Sequence, residues 1–281
     1  MNANPKLSLG FSSCPNDAFI FDAIVNQRID LRGLSFDFRI ADVEALNLAA
    51  FAGTLDITKI SFAAFLGLAE NYVLLDAGAA LGEKCGPLLV SREPIPLAKI
   101  SECRIAIPGQ NTTANLLLSL LFPDATNKVE MVFSDIENAV LDGQADVGLV
   151  IHESRFTYEA KGLYKLADVG DLWESRTSTL VPLGGIILKR SLPEAIQRDV
   201  NQILKESVQY AFDHPMEGWE FIKSLSQSTS DAVVRQHIEL YVNQHSLDLG
   251  QDGRAAIQRL LLESKKAGLS TGFDGNLFLD S

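Results

Sequence analysis

Long apolar runs, basic clusters and paired cysteines are all missing from this 281-residue sequence, and each absence excludes a class of protein. The longest apolar runs, such as residues 116–122, fall well short of the roughly 18 to 20 residues that span a bilayer, so no membrane insertion is expected. Lys and Arg number 24 against 36 Asp and Glu, giving a formal charge of −12. That field repels nucleic acid and anionic membranes. Three cysteines, Cys14, Cys85 and Cys103, lie far apart with no CxxC pair, which encodes neither a disulfide framework nor a four-ligand zinc site. Neither a Walker A loop nor a GxGxxG fingerprint occurs, so no nucleotide cofactor is expected. Residues 1–11 carry one Lys and a short mixed run instead of the apolar stretch of a secretion signal. The expected location is therefore the cytoplasm, and the expected partner is a small molecule. A hydrophobic content of 47% suffices for one large core or two smaller ones.

Short β-type runs alternate with amphipathic stretches, the pattern of an α/β chain with largely parallel sheets. Residues 6–11, 35–40, 56–60 and 72–77 read as strands, with helices beginning near Pro15, Val43 and Phe62. A second module repeats the layout: strand 104–108, a helix from Thr112, strand 129–133, a helix from Asp135, strand 145–151. Between the modules, residues 88–92 precede Pro94 and Pro96, where a chain can cross between domains. Residues 180–189, interrupted by Gly184 and Gly185, offer the return. Beyond them Val200, Ile203, Leu204, Val208 and Ala211 recur at spacings of three and four, so the tail reads as helices completing the first domain. The expected fold is a two-lobed, periplasmic-binding-protein-like (type II) α/β plan with a central cleft that closes by hinge motion. Residues 1–91 plus 190–281 form the larger lobe and 92–189 the smaller, with crossings near 88–92 and 180–189.

Gly10-Phe11-Ser12-Ser13-Cys14-Pro15-Asn16-Asp17 leaves a strand and enters a helix, with Pro15 suited to the first helical position. Its backbone N–H groups are candidates for the cleft; capping by Ser13 or its neighbours explains the same residues. Cys14 has no neighbour in sequence to lower its pKa and is a poor nucleophile. Residues 107–114 repeat this geometry, and Thr112 and Thr113 at a helix start suit either an anionic ligand or plain N-capping. Lys59, Ile60 and Ser61 end a strand on the edge where open α/β sheets bind ligands; a solvated lysine and a helix cap are the plainer readings. Asp42 and Glu44 begin a helix and complement its dipole. His152 ends an apolar strand, where an imidazole can accept a proton near neutral pH, or can be satisfied by local hydrogen bonds. His214, His237 and His245 have no partners at metal-ligand spacing, so no metal is expected and all three are assigned to packing or surface.

Beyond Gly10–Asp17 the sequence continues Ala18-Phe19-Ile20-Phe21, then Asp42-Val43-Glu44-Ala45-Leu46-Asn47 and Thr58-Lys59-Ile60-Ser61-Phe62. Gly78-Ala79-Ala80-Leu81-Gly82-Glu83-Lys84-Cys85-Gly86-Pro87-Leu88-Leu89-Val90 follows. Together with Ile151-His152-Glu153 these resemble the 1,4-dihydroxy-6-naphthoate synthase family of menaquinone biosynthesis, in which cyclic dehypoxanthinyl futalosine is cleaved. The likeness covers nearly the whole chain and thins in the helical tail. It implies a carbon–carbon lyase releasing the dihydroxynaphthoate and dihydroxyacetone without metal or organic cofactor. It also implies His152 as the proton acceptor and two substrate-binding segments, Lys59 to Ser61 and Thr112 with Thr113. Ser13 and Ala18 stand where the family has Pro and Thr, so no hydroxyl role carries over to position 18. The alternatives within the same fold are the pathway's chorismate dehydratase and a non-catalytic small-carboxylate-binding protein. The Ser-Cys-Pro-Asn-Asp opening and His152 favour the synthase over the dehydratase.

Overall fold

Sheet pairing, rather than the order of elements along the chain, divides the molecule in two. The computed structural model describes residues 6–228 and 230–279; residues 1–5, read from sequence as part of the larger lobe, and 280–281 lie outside them. Five strands, β1 (Lys6–Phe11), β2 (Ser35–Ile40), β3 (Ile57–Ser61), β4 (Tyr72–Leu74) and β5 (Ala80–Gly82), precede the crossing. Five more, β6 (Leu88–Ser91), β7 (Ile105–Ile107), β8 (Lys128–Glu130), β9 (Val147–Val150) and β10 (Tyr164–Asp168), follow it, and β11 (Val181–Lys189) returns. The first sheet runs β2-β1-β3-β11-β4 with β5 also on β11; the second runs β10-β6-β9-β7-β8.

The two strands read as crossings are full members of sheets. β6 pairs with β9 and β10 in the second sheet, and β11 pairs with β3, β4 and β5 in the first. The sheet boundaries therefore fall at residues 83–87 and 169–180, not at 91/92 and 189/190. The expectation of largely parallel sheets also needs correcting. β1 with β2 and β3, and β7 with β8 and β9, are parallel. Every pair made by β6 or β11 is antiparallel, because each enters its sheet from the other lobe and runs against the strands already there.

Helices α1 (Pro15–Val25), α2 (Val43–Phe51) and α3 (Phe62–Phe65) belong to the first lobe. α4 (Thr113–Leu121), α5 (Ile136–Leu141), α6 (Ser154–Thr157) and α7 (Val169–Thr177) belong to the second. α8 (Glu194–Asp213), α9 (Trp219–Leu225), α10 (Asp231–Tyr241), α11 (Gln244–Leu247) and α12 (Gly250–Lys266) return to the first. The periodic stripe read in α8 is its buried face: Val200, Ile203, Leu204, Val208 and Ala211 are buried, four of them packing on Leu9, Ile20, Phe21 and Ile186. A second cluster is continuous between the lobes, joining Phe62, Leu74 and Leu81 to Ile107, Leu117 and Val147. Both lobes thus press edges of their cores together across the cleft. Among the described residues no helix is long and apolar enough to cross a membrane.

Candidate active site

β1, β3 and β9 all end at the line where the two lobes meet, and the loops after them build one cavity of about 90 Å³. Apolar side chains such as Val43, Ile60, Pro87 and Leu183 form much of its wall. Lys59, Ile60, Ser61, Thr112, Thr113 and His152, the six residues singled out from sequence, all line it. So do Asn16, Asp17, His237 and Tyr241, which were not singled out.

The turn after β1 is held by Asp17. Its Oδ2 accepts from the Ser12 hydroxyl at 2.7 Å and the Ser12 N–H at 3.1 Å, and its Oδ1 accepts from Asn16 Nδ2 at 3.0 Å. Lys59 Nζ completes the group, 2.8 Å from Asp17 Oδ1 and donating to the Gly78 carbonyl at 3.0 Å. Lys59 is only 5% exposed, so the solvated-lysine reading is wrong. A buried ammonium is tolerated here because a carboxylate and a carbonyl replace its water. The helix start offers less than expected: Cys14, not Ser13, is the N-cap of α1 and makes no side-chain cap bond, while the Ser12 and Cys14 N–H groups are already used.

Thr112 and Thr113 divide their work. Thr112 is the N-cap of α4, accepting from Asn115 N at 3.3 Å and donating to the Gly109 carbonyl at 2.8 Å, so the plain capping reading holds for it. Thr113 bridges lobes, its hydroxyl donating to the Leu183 carbonyl at 2.6 Å and accepting from Ala63 N at 3.2 Å. Ser61 makes no cap bond; its N–H donates to Asn47 Oδ1 at 3.0 Å and its hydroxyl accepts from Asn47 Nδ2 at 3.3 Å. Asp42 caps α2 as its position suggests. Glu44 does more: its Oε1 crosses the cleft to accept from Asn111 N at 3.1 Å and Asn111 Nδ2 at 2.6 Å.

His152 follows β9 with φ +56°, a left-handed conformation that turns its ring back over the cleft. Its Nδ1 lies 3.3 Å from the Cys14 thiol, across the lobe boundary, while its Nε2 is buried with no hydrogen-bond partner. Withdrawal from water pushes its pKa down to about 4, the Asp17 charge opposing this and the Lys59 charge adding to it. The ring is therefore neutral at physiological pH. Burial pushes the Cys14 thiol well above its usual range, reinforced by Glu153 and Asp17, so the sulfur is a neutral contact and not a nucleophile. His237, assigned to packing or surface, is packed and also lines the cavity. It is fully buried, stacks on His152 at 6.0 Å and donates from Nε2 to Asn16 Oδ1 at 2.9 Å. Its spacing from Val234 and Tyr241 places it on the buried face of α10, the one signal in sequence that marked it. Among the described residues no group of three or more His, Cys, Asp or Glu side chains is placed to hold a metal ion.

This arrangement places two neutral imidazoles, each with an unpartnered buried nitrogen, beside an apolar wall, a buried ammonium and several fixed hydroxyls. The chain matches the family model for menaquinone biosynthesis over residues 7–265. It is 41% identical to the 1,4-dihydroxy-6-naphthoate synthase of Thermus thermophilus, covering 97% of this chain and 99% of that one. Identity to the synthase of Streptomyces coelicolor is 40%, covering 94% of each. Among solved structures, a protein from Archaeoglobus fulgidus superposes with a TM-score of 0.89 at 33% identity, covering 94% of this chain and 98% of that one. The alkanesulfonate-binding protein from Xanthomonas axonopodis superposes with a TM-score of 0.71 at 15% identity, covering 95% of each, which shows the periplasmic-binding-protein-like fold alone. This chain belongs to the 1,4-dihydroxy-6-naphthoate synthase family of menaquinone biosynthesis.

Proposed function

We propose that His152 is the general base of a carbon–carbon lyase that converts cyclic dehypoxanthinyl futalosine to 1,4-dihydroxy-6-naphthoate and dihydroxyacetone. The observation that carries the reading is His152 Nε2, a buried, unpartnered nitrogen on a ring that lines the cavity. A base must present a bare lone pair to its proton, and the neutral ring does so if its other nitrogen carries the hydrogen toward Cys14. His152 Nε2 takes the proton from a substrate hydroxyl or activated carbon. The electron pair left behind drives scission of the carbon–carbon bond, and the forming aromatic ring receives it.

Lys59 supports this charge flow. Two of its three N–H bonds go to Asp17 and Gly78, and the third remains for a substrate oxygen. Ser61 and Thr113 hold opposite walls in register, and Thr112 fixes the helix start between them. A cavity of about 90 Å³ is well below the roughly 300 Å³ at the lower end of small-molecule sites, so substrate enters with the lobes parted. Closure then excludes water from the base.

The test is turnover. Purified protein incubated with cyclic dehypoxanthinyl futalosine should release the naphthoate, followed by mass and absorbance. His152→Asn should lower kcat by about 10²-fold or more while thermal unfolding stays near wild type. A folded His152→Asn protein with near-normal single-turnover rates would sink the assignment. Binding without turnover would leave the chain as a solute-binding protein.

A further inference from the structure

We infer that Glu153 and His237 form a proton-sharing latch between the lobes, which takes up one proton as the cleft closes and pins His152 over the cavity. The inference rests on the reading of His152 as the base. His152 and Glu153 follow β9 in the second lobe, whereas His237 stands on α10 in the first.

The tautomer of His237 is set by a chain of fixed partners. Lys59 holds Asp17, and Asp17 Oδ1 accepts from Asn16 Nδ2, so the Asn16 amide can only present its oxygen to His237. His237 Nε2, 2.9 Å from that oxygen, must therefore carry a hydrogen. A neutral imidazole has one N–H, which leaves Nδ1 bare. That nitrogen is buried without a partner, and so is Glu153 Oε2, 3.9 Å away.

Two buried acceptors facing each other leave both unsatisfied; one proton between them satisfies both. A shift of about 1 Å by either side chain brings them to hydrogen-bond distance. The surroundings place the proton on the carboxyl. Burial raises the Glu153 pKa, against bonds from Ser226 and the Gln227 backbone. Burial also holds His237 well below its usual value, reinforced by His152 and Lys59. The other titratable neighbours are Asp17 and Cys14 at the start of α1 and Tyr241, whose ring lies 4.7 Å from His237. Among the described residues no side chain hydrogen-bonds to Nδ1.

With the lobes apart, Glu153 meets water and is ionised; closing against α10 and the loop before it draws a proton from solvent onto Oε2. Glu153 is also the next residue after His152, whose φ of +56° persists only where neighbours fix it. The latch supplies that fixation on one side and the Cys14 contact on the other.

The deciding experiment is ¹⁵N NMR of the unliganded protein carrying labelled histidine; the chain has four histidines, and His237→Gln assigns the site. We expect His237 Nε2 to stay protonated throughout and Nδ1 to move in a single titration that Glu153→Gln abolishes, since an amide N–H donates to Nδ1 at every pH. A protonated Nδ1 with a bare Nε2, or an Nδ1 titration unchanged in Glu153→Gln, overturns the latch. This readout needs no turnover and so stands or fails apart from the assigned reaction. In kinetics with cyclic dehypoxanthinyl futalosine, wild-type kcat/KM should fall about tenfold per pH unit above the latch titration. Glu153→Gln should flatten that fall, and Glu153→Ala should lower kcat/KM at neutral pH by about tenfold or more. A Glu153→Ala enzyme with the wild-type value and profile overturns the pinning of His152.

Discussion

His152 is held in an unfavourable environment for a charged ring, and as the proposed base it should set the acid side of the pH response. Burial pushes its pKa down from the usual 6.5 to about 4. Protonation removes the base, so kcat should rise with pH through about 4 and be level by pH 6, where an unshifted imidazole would still be titrating. An acid limb centred near 6.5 in single-turnover rates would show that substrate binding restores the ring's ordinary basicity. The same shift bears on stability. The unfolded chain binds a proton below about pH 6.5 that the folded ring refuses until about 4. The contribution of this ring is therefore complete above pH 6.5 and is lost as pH falls through that window. His152 was legible in sequence because a titratable ring ended an apolar strand. Asp17, Asn16 and His237 were not, since each acquires its meaning from a partner 42 or more positions away or from a neighbour so fixed.

At the scale of elements, α4 begins with two adjacent hydroxyls that should respond differently to the same change. Thr112→Val removes an N-cap and should cost about 1 kcal/mol of stability, seen as a lower Tm, with KM little altered. Thr113→Val removes the bond to Leu183 across the lobes and should raise KM more than it lowers Tm. Equal effects of the two on Tm and KM would refute that division. The crossing into β6 makes another demand. A Cβ on Gly86 would sit 2.3 Å from the Gly170 backbone at the start of α7, where no side chain can swing aside. Gly86→Ala should destabilise by about 1 to 3 kcal/mol in denaturant unfolding. An unchanged midpoint would mean the α7 start moves freely. Periodicity revealed α8 because its apolar stripe repeats over many turns. β5 escaped notice because its three residues lie among Gly78, Gly82 and Gly86, and β10 because Tyr164–Asp168 carries two charges and no apolar run.

The whole molecule is seen with its lobes together, and among the described residues the contacts that fasten them include Glu44 and Asn47 to Asn111, Thr113 to Ala63 and Leu183, and the His152–Glu153 segment to Cys14 and the α10 region. Glu44→Ala removes both Glu44 bonds to Asn111 and should shift the unliganded ensemble toward parted lobes. Small-angle scattering should then give a larger radius of gyration than wild type, with KM raised. Identical scattering profiles at saturating and zero product would instead describe lobes that stay closed without that contact.

The sequence by itself determined the α/β alternation, the doubled module and the helical tail, because these depend on local periodicity, while its resemblance to the synthase family pointed to six residues that the structure brings to one cavity. Tertiary structure alone decided which sheet β6 and β11 join, since a strand's partner is chosen by edges brought together from distant parts of the chain. It also decided that Lys59 is neutralised by Asp17, that Glu44 reaches over the cleft, and that His237 stands beside His152. Burial and charge pairing are properties of the folded volume. No spacing along the chain records them.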